Sequence, residues 1–193
     1  MPIDMKAVIA NTFSKMLEHK SIDKITVKAV LDECHISRQT FYYHFRDIMD
    51  VLEWSFHQAI QHILKQSLEA EDIRSALQYF VSFTIKHYSK IRRLMDSQRR
   101  KQIELIMIET VTTYLKELTK QKRPDLAVTL GDMEIVVRYN ACGILGVLIM
   151  CGEKANFDQE RLLQLFEWIL SGELSEWAKN LPSHPIDSNI QND

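Results

Sequence analysis

Along most of the chain, apolar side chains recur every three or four residues, the period of helices that bury one face. Met5, Val8, Ile9, Phe13, Met16 and Leu17 make the first such stripe and predict a helix from about residue 3 to residue 19. Ile22 and Ile25 follow as apolar anchors in a loop. Val27, Val30, Leu31 and Cys34 then fall at i, i+3, i+4 and i+7 behind Thr26, a good helix cap, and leave Lys28, Asp32 and Glu33 for water. A second short segment opens at Ser37 and buries Phe41 and Phe45, one turn apart, while Arg38, Gln39, Thr40, Tyr42, Tyr43 and His44 fan outward.

From Asp47 the pattern lengthens. Ile48, Val51, Leu52, Ser55, Phe56, Ala59, Ile60, Ile63 and Leu64 keep one side apolar and predict a long connecting helix, with Trp54 off the stripe, open to facing a cavity or covering another helix. One further helix is expected from about Asp72, with Ile73, Leu77, Phe80, Thr84, Tyr88 and Ile91 in register, and another from about Ser97 through Lys120. Pro124 to Asp132 breaks the chain, Met133 leads into the apolar run Ala141 to Cys151, and Gly152 offers a stop. Asp158 opens a last helix with the stripe Leu162, Leu163, Phe166, Ile169 and Leu170, ending near Gly172, with Leu174 and Trp177 fitting an extra turn. No glycine precedes Gly131 and no proline lies between Ile3 and Arg123, so sheet structure is hard to fit.

Two short capped helices set end to end, only a few residues apart, are how a helix-turn-helix is written. The outward face of the second is unusual for a merely solvated helix. Arginine, glutamine, threonine, histidine and two tyrosines combine donors for base edges, donors for phosphates and flat apolar contact, the set required by a helix lying in a major groove of DNA. The competing reading is a helix whose aromatics pack on a neighbour, or a helical interaction module whose tyrosine-rich side meets another protein.

The run Ile36-Ser37-Arg38-Gln39-Thr40-Phe41-Tyr42-Tyr43-His44-Phe45, placed after Ile25-Thr26-Val27, resembles the signature of TetR-type transcriptional regulators and covers about the first 55 residues. The resemblance implies an all-α fold of about nine helices: an N-terminal three-helix helix-turn-helix head over residues 1–46, joined to a helical ligand and dimerisation body over 47–180, with a flexible tail over 181–193. It implies that Arg38, Gln39, Thr40 and Tyr43 face bases and that Thr26, Lys28, Tyr42 and His44 hold phosphates; Ser37 and Arg46 complete the candidate DNA-binding set. Such a protein would be a cytoplasmic homodimeric repressor on an inverted-repeat operator of double-stranded DNA. Two positions depart from the pattern. His35 stands in the turn where such regulators usually carry glycine, and Ile48 stands where they carry a phosphate-clamping lysine, so the free N–H groups of that helix start are expected to substitute. The stretch from Tyr139 to Gly172 is similar to a Firmicutes branch of these regulators, some of which accompany dihydroxyacetone kinase genes.

Composition narrows the function classes. The chain has 193 residues, 46% of them hydrophobic, and a net charge of -2, so it is neither disordered nor broadly basic. Within the first 50 residues seven Lys or Arg balance seven Asp or Glu, and any hold on DNA must come from a few aimed groups. The densest charge is Lys86, Lys90, Arg92, Arg93, Arg99, Arg100 and Lys101 against Asp96, which reads as a solvated connection or as an anion site. Cys34, Cys142 and Cys151 show no metal-ligand spacing and read as buried free thiols of a reducing compartment. The seven histidines form no HExxH, no serine lies in a GxSxG turn, and five glycines leave no phosphate loop, so no enzyme, metal or cofactor is expected. The longest near-apolar stretch, Ala141 to Cys151, is only 11 residues, and no membrane span is expected.

Two further sites are expectations from pattern. Trp54, Phe80, Phe83, Tyr88 and Met107 are candidates for lining the pocket of a small apolar or amphipathic effector. Ala141, Ile144, Leu145, Leu148, Leu162, Phe166 and Ile169 lie on broad apolar faces of the last two helices and are candidates for a four-helix interface between two chains, with Gly143 and Gly146 permitting close approach.

Overall fold

The structure is a computed structural model and describes residues 4–122, 124, 129–151 and 159–171. The expected tail over 181–193, the stop at Gly152, the opening at Asp158 and the turn around Leu174 and Trp177 lie outside the described residues, as do the side chains of Cys151, Ile169 and Leu170. Among the described residues all regular structure is helical: α1 Met5–Leu17, a 3-10 turn Ile22–Lys24, α2 Val27–Cys34, α3 Arg38–His44, α4 Ile48–Glu69, α5 Ile73–Lys86, α6 Tyr88–Met95, α7 Arg100–Lys122, α8 Leu130–Cys151 and α9 Gln159–Ser171.

The helix starts are where short polar residues can take up a free backbone N–H. Asp4, Thr26, Ser37, Asp47 and Asp72 accept from Ala7, Ala29, Thr40, Asp50 and Ser75 at 3.2, 3.1, 3.0, 2.9 and 2.7 Å. Each such cap is worth about 1 kcal/mol, a large share of what helices as short as α2 and α3 can draw on.

Packing follows the stripes. Ile9, Phe13, Ile22, Val30, Phe41 and Val51 are fully buried and join α1, α2, α3 and the start of α4 into one apolar centre. Further along, α4 lies against α5 and α7, α7 against α8, and α9 against α5. There Leu77, Ile103, Tyr114, Leu115, Leu118, Ile144 and Phe166 are closed off from water. Arg74 of α5 ties down α9 through Glu167 at 2.8 Å and through Glu160.

The structure corrects the expectation of one helix running from Asp72 to Ile91. The helix breaks at His87, whose backbone leaves helical geometry (φ -103°, ψ 11°), and a separate helix starts at Tyr88. The break redirects α6 so that Leu94 and Met95 are buried and Lys90 reaches Ser14 and Glu18 of α1. Neither glycine nor proline marks it, and tertiary packing overrides an unbroken local pattern.

A second difference concerns α8. The helix as a whole, over Gly131–Met150, is long and apolar enough by length and composition to cross a membrane, which the 11-residue run alone is not. One of its sides is packed on the chain itself, and its Arg138 and Glu134 pair with Glu109 and Lys116 of α7 at 2.7 and 3.1 Å.

Where α4, α5 and α7 meet, the Tyr114 ring stacks on Phe80 and its hydroxyl lies 2.9 Å from Ser67 Oγ, which itself donates to the Ala76 carbonyl at 2.9 Å. Burial pushes the Tyr114 phenol up from 10.0 to about 12, against a smaller lowering by Ser67. The folded state therefore holds this proton more tightly than the unfolded chain does. Its contribution to stability is complete below pH 10 and is lost as pH climbs toward about 12. Urea melts at a series of alkaline pH values are expected to show that loss in the native chain and a shallower one in Tyr114→Phe, which at neutral pH is destabilised by about 1 kcal/mol.

Candidate nucleic-acid interface

Seven residues make too short a helix to stand alone, and α3 is held by what it buries. Phe41 is 0% and Phe45 3% exposed, their rings 6.1 Å apart, and Phe45 meets the indole of Trp54 on α4 edge to face at 5.9 Å. Lys6 of α1 stands over the Phe45 ring at 5.6 Å. With that side anchored, the opposite side is uncovered. Arg38 and Gln39 are exposed, Tyr42 is 55% and Tyr43 84% exposed, and Thr40 and His44 are half-buried. Tyr43 packs edge to face on His44 at 4.9 Å, which stiffens an aromatic side chain that otherwise has only water around it.

Ser37 accepts the Thr40 N–H at 3.0 Å and shares a hydrogen bond with the Thr40 hydroxyl at 2.9 Å. Thr40 is thereby turned back toward its own helix start, and Arg38, Gln39, Tyr42 and Tyr43 are the side chains left to project. Thr26 uses its oxygen to cap α2, is exposed, and lies two residues from exposed Lys28. The turn between α2 and α3 passes through His35 at φ 55° and ψ 42°, the one non-glycine residue at positive φ among the described residues. Its N–H and that of Ile36 both go to the Leu31 carbonyl, the closing pattern of a helix that ends in a left-handed residue. The reading of His35 in place of glycine therefore lands on the residue that needs the left-handed conformation.

The start of α4 differs from expectation. Its first turn was to attract a phosphate through free N–H groups in place of a lysine, yet it carries two carboxylates. Asp47 caps Asp50 N–H at 2.9 Å, and Asp50 accepts from the Arg46 backbone N–H at 2.8 Å and from its guanidinium at 3.4 Å. Partial burial raises the Asp50 carboxyl, but the N–H and guanidinium of Arg46 outweigh it and hold the group below the ordinary aspartate value. Arg46 is thus tied to its own chain, though its side chain stays 82% exposed. Carboxylates at a helix N-terminus satisfy the dipole that would otherwise draw an anion.

The five candidate pocket residues are not all brought together. Phe80, Phe83 and Met107 line one apolar cavity of about 60 Å³ with Phe56, Ile91 and Leu145. Trp54 instead borders an open cleft of about 460 Å³ between α4 and α7, and Tyr88 turns to α8, its hydroxyl donating to the Ile149 carbonyl at 3.3 Å. A second cavity of about 140 Å³ adjoins the first and is lined by Phe13, Ser14, Ser55, His87 and Lys90 among others. Pattern reading missed these because Ser14 and Lys90 are polar residues on helices far apart in the chain.

The candidate interface residues fall on the other side from the one expected. Ala141, Ile144, Leu145, Leu148, Leu162 and Phe166 are at most 6% exposed and pack within the chain's own core. The apolar side of α8 that faces water carries Ile135, Val136, Tyr139 and Met150, between 53% and 76% exposed, with Gly143 and Gly146 open beside them. Cys142, expected to be buried, lies exposed on this same side, and Cys34 is only half-buried. The dense basic stretch is spread out: Lys90 pairs with Glu18, Arg100 with Glu104, and Lys86, Arg92, Arg93, Arg99 and Lys101 are exposed.

No protein-family model and no curated protein matches the chain. Solved structures do. The dihydroxyacetone kinase operon activator DhaS superposes with a TM-score of 0.61 at 16% identity, covering 89% of this chain and 94% of its own. The TetR family repressor AlkX from Dietzia sp. strain DQ12-45-1b gives 0.59 at 15% identity, over 90% and 96%. The fatty acid degradation regulator FadR from Bacillus halodurans gives 0.56 at 17% identity, over 89% and 97%. The chain has the TetR-type fold. Within it, His35 occupies a left-handed position that costs an L-residue about 1 to 2 kcal/mol. His35→Gly is expected to stabilise the chain by about 0.5 to 1 kcal/mol, the relief of that strain less the entropy glycine adds to the unfolded state, read as a rise in urea midpoint at unchanged slope.

Proposed function

We propose that the chain is a sequence-specific DNA-binding transcriptional regulator, not an enzyme, that lays α3 in the major groove and binds an inverted-repeat operator as a homodimer. One observation carries this reading. On a helix anchored by two buried phenylalanines, the side with the richest hydrogen-bonding and aromatic chemistry of the N-terminal region is the side left open. Arg38 and Gln39 offer the bidentate donors and acceptors that distinguish guanine and adenine, and Tyr43 offers a flat edge for thymine methyl groups or the sugar-phosphate rim. In this reading Thr26, Lys28, Tyr42 and His44 hold phosphates on either side. The TetR-type fold supports the reading at the level of architecture. Its neighbours include the activator DhaS and the repressor AlkX; for this chain we infer repression by occupancy of the operator, which a reporter placed behind the selected site checks directly.

Dimerisation, in this reading, uses the water-facing side of α8. Ile135, Tyr139, Cys142, Gly146 and Met150 follow one another at helical spacing along one line, and the two glycines let a second copy of the helix come close. A protein partner fits this face better than lipid, because α8 keeps charged pairs with α7 on its flank and packs α7 and α9 with its other side. Residues 1–46 then form the reader and the residues after them the body that sets the spacing of half-sites.

Selection of bound duplexes from a random pool, followed by gel shift, is expected to recover an inverted repeat; recovery of no sequence defeats the proposal and leaves a protein-binding module. On the selected site, Arg38→Ala and Gln39→Ala are expected to weaken binding by about tenfold or more and to relax preference at one base position each, whereas Lys28→Ala weakens all duplexes alike. Tyr139→Glu is expected to convert the dimer to single chains by sedimentation velocity while leaving the helical circular dichroism unchanged, and to cost most of the operator affinity.

A further inference from the structure

The two cavities described above share Phe56, Ala59, Phe83 and Ile91 as lining residues, so only these side chains stand between them. The path through both runs from Met107, Val111 and Leu145 to Ser14 and Lys90, where α6 meets α1. Its walls are chemically one-sided. The hydroxyls along it are already engaged by their own helices: Thr84 donates to Phe80 O at 2.9 Å, Thr110 to Ile106 O at 2.7 Å and Ser55 to Val51 O at 2.7 Å. The length of the path is therefore apolar, and polar chemistry is confined to the end at α1. There Lys90 Nζ donates to Ser14 Oγ at 3.1 Å and pairs with Glu18 at 2.9 Å, and the half-buried His87 lies beside them.

We propose that the two cavities join into one channel that takes an anionic amphiphile, an aliphatic carboxylate whose tail lies among Phe56, Phe83 and Met107 and whose carboxylate displaces Glu18 from Lys90. The charges at the polar end select the class. A cationic head would be set against Lys90, and a neutral head would leave Lys90 to Glu18. A carboxylate gains the ammonium of Lys90, the Ser14 hydroxyl and an imidazole N–H, in a setting where Lys90 is only 22% exposed and charge-assisted hydrogen bonds are strong. Glu18 is 47% exposed and returns to water at small cost, as exposed ion pairs generally do.

The same exchange gives the ligand a way to reach α3. Lys90 is a bond from α6 to α1, and α1 packs directly against α2, α3 and α4. With Lys90 turned to the ligand, α1 loses that tie, while Asp23 still accepts from the Gln98 N–H at 3.0 Å near the other end of α6. The N-terminal helices are then held at one side and released at the other, a condition for tilting. Only this last step rests on the DNA-binding reading; occupancy of the channel does not.

The test uses the full chain without DNA and three ten-carbon probes, decanoate, decanol and decylammonium, titrated calorimetrically. Decanoate is expected to bind at least about tenfold more tightly than either of the others. Lys90→Met, which keeps the apolar stem, should lose about tenfold for decanoate and nothing for decanol, and Glu18→Gln, which removes the competitor, should gain about threefold or more. Ala59→Phe, at the junction of the two cavities, should abolish binding of every probe at an unchanged circular dichroism spectrum. Decylammonium binding as well as decanoate, decanoate affinity indifferent to both Lys90→Met and Glu18→Gln, or no probe binding at all would overturn the proposal. Gel shift of the ligand-free chain on its selected duplex tests the DNA reading separately, so the two can fail independently.

Discussion

Burial of Phe41 and Phe45 beneath α3 is the contact on which the arrangement turns. A seven-residue helix has almost no intrinsic stability, and its caps at Ser37 and Phe45 close only a few hydrogen bonds. Two phenylalanine side chains removed from water supply about 2 to 3 kcal/mol each, enough to hold the helix against α1 and α4 without help from its outer side. That freedom is what permits Arg38, Gln39, Tyr42 and Tyr43 to remain uncovered. The same contact also orients the helix, since a ring stacked edge to face on Trp54 fixes rotation about the helix axis as well as distance.

The second consequence is that α3 is attached to the longest-range element in the chain. Trp54 and Asp50 belong to α4, and α4 continues to Glu69, where Ser67 joins α5 and α7 through the Ala76 carbonyl and the Tyr114 hydroxyl. One end of α4 is thus pinned by aromatic contact to α3 and the other by a buried polar triad to the long helices. A rigid rod fixed at both ends transmits displacement, and it does so only as far as the ties from α6 to α1 allow, because those hold α1 to the same body by a shorter route.

Much of this was legible in the sequence, for identifiable reasons. Three helices of the first 69 residues were written by a cap followed by a stripe: Thr26 then Val30 and Leu31, Ser37 then Phe41, Asp47 then Val51 and Leu52. His35 stood out because a position that wants φ above zero is a local property of the turn. The break at His87 was not legible, since it comes from the demand of Leu94, Met95 and Lys90 for a different direction and not from any breaker residue. The carboxylates at the start of α4 were visible as residues, but that Asp50 takes Arg46 for itself depends on the geometry of the corner. The pocket was half legible: apolar lining can be guessed from stripes, while its polar end is assembled from α1 and α6, more than seventy residues apart.

The error over α8 has the most general cause. Periodicity reveals a helix by the contrast between its sides, and from Ile135 to Met150 both sides are apolar. Such a helix announces that two surfaces will cover it and says nothing of which is covered by its own chain. Space decides: α7 and α9 take the side of Ala141, Ile144 and Leu148, and the side of Tyr139 and Met150 is left over. Leu145 then acquires a double position, on the helix whose outer side is the proposed dimer face and beside Met107 in the apolar cavity. In the proposed dimer, a filled channel presses on the helix that pairs the two chains, and that pairing stiffens the wall of the channel. In a dimer built this way, ligand occupancy and the distance between the two α3 helices depend on one shared element, and a coupling between them must act equally in both directions.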